Sequence, residues 1–101
     1  MIPSFEKTLT KSYVRNDDFI LPNSISEELP DYECEAIVVF HPRAFRMTFK
    51  IGAYRRLYKG WKHFIDTMDL KEGDTLCFQI CETNTGVGFI VEKKPEIVDV
   101  D

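Results

Sequence analysis

Tyr58-Lys-Gly-Trp61-Lys-His-Phe64-Ile65-Asp-Thr-Met68-Asp-Leu70-Lys71-Glu72-Gly73-Asp74-Thr-Leu76-Cys-Phe78-Gln-Ile80 is the stretch on which the fold turns. Trp61, Phe64, Ile65 and Met68 fall at i, i+3, i+4 and i+7, one face of a helix about two turns long. Gly60 stands before that helix, and Lys71-Glu72-Gly73-Asp74 makes a charged turn behind it. The period then changes. Leu76, Phe78 and Ile80 alternate with Cys77, Gln79 and Cys81, which is the pattern of a strand with one face in a core. A short helix therefore feeds a strand, and the single Trp sits at the helix entrance. These apolar residues read as core whose task is to hold other parts of the chain in place.

Outward from this stretch the chain is mostly short strands. Phe5 to Leu9 and Phe19 to Leu21 are brief extended segments, the second ended by Pro22. Asn23 to Leu29 reads as a helical turn, with Asn23 or Ser24 as cap and Glu27 at capping-box spacing from Ser24. Ala36 to Phe40 is β-branched and strand-like. Phe45, Met47, Phe49 and Ile51 alternate with Arg46, Thr48 and Lys50, and Tyr54 to Tyr58 resumes extended structure after Gly52-Ala53. Val87, Phe89 and Val91 form the last strand, after a turn at Glu82 to Gly86. Thr10 to Asn16 reads as a polar segment. The tally is about seven short strands and two short helices, and short turns between strands favour antiparallel pairing into a small barrel.

A chain of 101 residues, 44% hydrophobic, can close one core as a single domain. We place that domain at residues 1–92 and read 93–101 as a charged tail. The chain has no apolar run long enough to span a membrane, and its first residues lack the apolar core of a signal peptide. Three cysteines, an odd number, suit reduced thiols inside a cell. Cys77 and Cys81 share a strand face but lie too far apart to bridge.

No catalytic constellation emerges. His41 and His63 neighbour no nucleophile motif, no phosphate-cradling glycine loop occurs, and no metal set has the right spacing. Asp17-Asp18 and Glu27-Glu28 read as solvated surface. The expectation is a protein without enzymatic activity, cofactor, metal or small-molecule substrate.

Charge is more informative. The net charge is −4, yet residues 66–101 hold nine acids against three bases, whereas residues 1–65 hold ten bases against eight acids. Arg43 to Lys62 carries seven bases and no acid, and Lys7 to Asn16 carries three bases and no acid. Tyr13, Tyr54 and Tyr58 lie within these windows. Basic segments with hydroxyl and aromatic side chains suit phosphate and base contacts. The same pattern also fits a solvated face balanced by acids elsewhere in space, or a surface for an acidic protein.

Four ordered motifs resemble a known family. Phe5-Glu6-Lys7-Thr8-Leu9-Thr10 with Ser12-Tyr13-Val14, then Leu21-Pro22, then Gly60-Trp61 with Phe64, then Leu70-Lys71-Glu72-Gly73-Asp74 with Phe78 resemble the plant B3-type DNA-binding domain, most closely its reproductive-meristem group. The likeness spans roughly Phe5 to Val91. It implies a mainly β fold, a seven-stranded open pseudobarrel with two short helices, in agreement with the tally above. It also implies two arms entering the DNA major groove, here Lys11 to Asn16 and Lys50 to Arg56, and both fall in the acid-free windows.

On this resemblance, Lys7, Lys11 and Lys50 meet phosphates, and Ser12 and Tyr13 contact the backbone or a base edge. Arg15, Asn16 and Arg55 are candidates for base readout, since Arg matches guanine and Asn matches adenine in two-point hydrogen bonds. Tyr54 belongs to the second arm, and Arg56 and Lys59 flank it. The chain departs from the family at Arg43-Ala44-Phe45, where Trp is common, and at Tyr13, where other groups carry Asp. Its second arm, around Ile51-Gly52-Ala53-Tyr54, is short of hydrogen-bonding side chains, which points to loose or shape-based readout. The implied protein is a nuclear transcription regulator that binds double-stranded DNA, with other transcription regulators as candidate partners. The rival is an interaction module that keeps the barrel with little DNA affinity. A DNA-targeting domain of a nuclease ranks last, because the chain has no metal-nuclease motif of its own.

Overall fold

A computed structural model describes residues 2–84 and 86–95. Seven strands form one sheet: β1 (Ser4–Thr8), β2 (Asp18–Ile20), β3 (Cys34–Phe40), β4 (Arg43–Ile51), β5 (Arg55–Tyr58), β6 (Thr75–Thr83) and β7 (Gly86–Lys93). Two α-helices, α1 (Lys11–Arg15) and α2 (Trp61–Thr67), and a 3₁₀ turn at Asn23–Glu28 complete the described residues. The sheet order is β1-β6-β7-β3-β4-β5-β2, and it curls into an open half-barrel.

The mainly β, seven-stranded reading holds. The pairing is less sequential than short turns suggested. β3–β4, β4–β5 and β6–β7 pair antiparallel with their chain neighbours, but β1 pairs with β6, β2 with β5, and β3 runs parallel to β7. The helix explains this. α2 takes the chain from β5 across the barrel, so β6 starts beside β1 rather than beside β5. β7 then turns back and closes onto the free edge of β3.

Three local readings change. The 3₁₀ turn has Pro22 at its N-cap position and no side-chain capping bond, so the Ser24–Glu27 capping box does not form. The Thr10–Asn16 segment is not wholly irregular but contains α1, a third helical piece. The Thr10 hydroxyl accepts from the Tyr13 amide at 3.4 Å, and the Val14 amide donates to the Thr10 carbonyl. β7 reaches Lys93, and the Lys94 amide donates to Thr75, so the start of the stretch read as a tail is built into the sheet. Residues 96–101 lie outside the described residues.

Alternation decides which residues are inside. Phe45, Met47 and Phe49 of β4, Leu57 of β5, Leu76, Phe78 and Ile80 of β6, and Val87, Phe89 and Val91 of β7 are buried. Phe45 thus fills a core position where the family often has Trp. α2 buries Trp61, Phe64 and Ile65, as its spacing predicts. Four rings stack in series through the interior. Phe5 lies on Phe78 with centroids 4.6 Å apart, Phe78 on Phe19 at 5.2 Å, and Phe19 on Trp61 at 4.3 Å. This column ties β1, β6, β2 and α2 together, and such stacked pairs add about 0.5–1.5 kcal/mol each beyond the area they bury.

Candidate nucleic-acid interface

The first arm is held by the helix that the opening stretch encodes. The Trp61 indole donates its Nε1–H to the Tyr13 carbonyl at 2.7 Å. Lys62 Nζ donates to the Val14 carbonyl at 3.0 Å, and to Asp66 Oδ1 at 2.8 Å one turn further along α2. These two carbonyls lie in the last turn of α1, where no intrahelical donor serves them. Asp17, just past α1, completes the latch. Its Oδ1 accepts from the Gly60 amide at 3.1 Å and from the Lys62 amide at 2.8 Å. It therefore caps the start of α2, which Gly60 cannot do itself.

Gly60 is required there on other grounds. Its φ is +148°, and a Cβ at this position would run into the Arg46 carbonyl oxygen. Asp17→Ala is expected to cost about 0.5–2 kcal/mol in urea denaturation, the usual range for a lost cap. Asp17→Asn keeps the accepting oxygen and should recover most of that loss.

With α1 latched, its polar side chains face solvent. Lys11, Ser12, Arg15 and Asn16 are exposed. None of the charged ones forms an ion pair among the described residues. Tyr13 is half-buried, its ring 4.9 Å from that of Phe19 and Lys7 Nζ 5.7 Å from its own centroid. Burial, followed by the nearby Asp18 carboxylate, raises the Tyr13 pKa above that of an ordinary tyrosine, so its hydroxyl stays protonated.

The second arm joins β4 to β5 through Gly52, Ala53 and Tyr54. Tyr54 is exposed at its tip. The root of the arm is anchored by Glu33, whose Oε2 accepts from the Ile51 amide at 3.0 Å. Arg55 is half-buried, and its Nε is covered with no hydrogen-bond partner among the described residues.

β5 brings the two arms together. Arg55 and the second arm lie at its start. Its other end, Tyr58, is registered against Asp18, two residues past the first arm. β5 is four residues long, so the arms flank a strip about 10 Å long at roughly 3.3 Å per residue. The strip between them is basic. Lys50 is registered against Arg56, and the Tyr58 ring lies 5.0 Å from Lys50 Nζ and 5.5 Å from Lys59 Nζ. Lys59 adopts the left-handed region with φ 54°, uncommon for a residue with a side chain.

Acids do enter these windows in space. Asp18 Oδ2 lies 3.6 Å from Arg56 Nη1, and Glu33 sits at the root of the second arm. The absence of acid along the sequence is thus not an absence of acid in three dimensions. Asp17 and Asp18, which read as solvated surface, are both engaged. Lys62, the last base of the long window, serves the latch. Tyr58, noted in the sequence as an aromatic of the long basic window, is part of the strip. For Asp17 and Glu33 no sequence signal existed, because their partners are distant in the chain.

The open half-barrel thus carries two basic connections, one at each end of β5. The B3 DNA binding domain family matches residues 5–93, and this chain belongs to it. Among solved structures, a hypothetical protein of Arabidopsis thaliana is similar at TM-score 0.70 and 19% identity, with 93% of this chain and 91% of that one covered. The Arabidopsis FUS3–DNA complex is similar at TM-score 0.61 and 14% identity, with 90% and 95% covered. No curated protein matches the chain. Membership makes this chain a DNA-binding module; the structural likenesses by themselves speak to the fold.

Proposed function

We propose that this protein binds double-stranded DNA through the major groove, as the DNA-recognition module of a plant transcription regulator acting in the nucleus, without catalytic activity. The observation that carries this reading is the convergence of two basic arms on the two ends of β5. A B-form major groove is about 12 Å wide, comparable to the strip between the arms. Lys7, Lys11, Lys50 and Lys59 supply phosphate contacts. Arg15 and Asn16 on the exposed face of α1, with Arg55 at the second arm, read base edges. The FUS3 structure, solved as a DNA complex, supports this use of the fold. The ordered motifs favour the reproductive-meristem group, and other transcription regulators are the natural protein partners. The working domain includes all of β7 and Lys94, and so runs past the boundary of 92 expected from the sequence.

The test is fluorescence anisotropy with a pool of random-sequence duplexes across a salt series. Each neutralised phosphate contributes a slope of about −0.9 in log affinity against log salt, so four or more contacts give about −4 or steeper. Sequencing the bound pool then yields the site. Absence of binding at low salt would replace this reading with the interaction-module reading, which the net charge of −4 favours.

A further inference from the structure

A second surface has the opposite chemistry. The end of the 3₁₀ turn, the connector through Pro30 and Tyr32, and the facing ends of β6 and β7 enclose a cleft of about 570 Å³. Its floor is apolar, with Leu29, Ile80 and Val87 all buried. Its rim is acidic. Glu27, Glu28 and Glu82 line it and are exposed, and no Lys or Arg lines it. None of these three carboxylates takes part in an ion pair among the described residues, whereas Glu6, Asp18, Asp66, Asp69 and Asp74 all do. Tyr32, 59% exposed, stands at the edge. Thr83 Oγ1 is covered and has no hydrogen-bond partner among the described residues.

We propose that this cleft docks a short peptide segment of another protein, one carrying an apolar side chain flanked by Lys or Arg. The volume suits a few side chains rather than a whole domain. The floor takes the apolar anchor, and the three unpaired carboxylates attract the flanking cations and speed their encounter. Tyr32 adds an aromatic face that accepts either a cation or an aliphatic chain. Like charge disfavours the phosphate backbone of DNA as an occupant. The cleft is independent of the DNA-binding reading and stands or falls separately from it.

The experiment titrates isotope-labelled full-length protein with a panel of heptapeptides. Each has Leu, Phe or Met at the centre and Lys or Arg at two positions on either side. The expected result is saturable amide shifts confined to the segments around Tyr32, Glu82 and Val87 for at least one peptide. Affinity should fall at least tenfold in the Glu27→Gln/Glu28→Gln/Glu82→Gln variant, whose three changes are all on exposed side chains. A Ser-centred basic peptide that binds equally well would overturn the proposal, since charge alone would then suffice. So would the lack of saturation with every member of the panel. Shifts at the same residues on concentrating the protein without peptide would make a second copy of the chain the occupant, and would overturn it too.

Discussion

Trp61→Ala is expected to lower the stability of this domain by about 3–5 kcal/mol, the usual cost of removing a large buried aromatic. Trp61 is 0% exposed, stacks on Phe19 at 4.3 Å and tilts against Phe64 at 5.3 Å. Domains of this size have about 5–15 kcal/mol in total, so the variant should be close to unfolding. Its thermal midpoint should drop by more than about 12 °C, taking about 4–8 °C per kcal/mol for a domain of this size. Far-ultraviolet circular dichroism is the suitable probe, because the variant has no tryptophan left to fluoresce. Trp61→Phe separates packing from the latch. It keeps a ring on Phe19 but removes the donor to the Tyr13 carbonyl, at a cost of about 1–3 kcal/mol for an acceptor left unserved. In that variant the amides of α1 should exchange with solvent faster than those of β6. An unchanged midpoint in Trp61→Ala would show that α2 does not organise the fold.

Charge reversal on the first arm is the second large effect. Lys11→Glu with Arg15→Glu should weaken duplex binding by at least about 100-fold, on the basis of about 1–3 kcal/mol for a base-reading Arg together with a lost phosphate contact. The log–log salt slope should become shallower by about one for each phosphate contact removed. Both side chains are exposed and make no ion pair among the described residues, so the thermal midpoint should hardly move. These positions isolate binding better than Arg55, whose half-buried side chain makes a Glu there a test of folding as well. Unaltered affinity in the double variant would sink the assignment of α1 as a DNA-contacting arm.

Both predictions depend on the same coupling. α1 is only five residues long, too short to be stable alone in water. Its last carbonyls are held by Trp61 and Lys62, and the chain just beyond it is held by Asp17. A mutation in the helix α2 is therefore felt at the first arm. Stability and binding are separable only where, as at Lys11 and Arg15, a side chain leaves the latch and faces solvent.

The sequence by itself determined the seven strands, α2 and their inward faces, but not α1, whose five residues bury no side chain fully and so leave no apolar pattern. Alternation along β4, β6 and β7 and the helical spacing from Trp61 are local patterns, set by which side chains must leave water, so they can be read without knowing the partners. It also determined where positive charge is concentrated along the chain, and the ordered motifs carried the family. Only the tertiary structure decided the strand order, with β3 parallel to β7 and β1 beside β6, because pairing depends on where α2 delivers the chain. It likewise decided that Asp17 caps a helix whose amides lie 43 and 45 residues away, and that Glu33 anchors Ile51 across 18 residues. The two acid-free windows received Asp18 and Glu33 as neighbours for the same reason. A carboxylate hydrogen-bonds to whatever the fold brings within about 3 Å, and sequence separation carries no information about that distance.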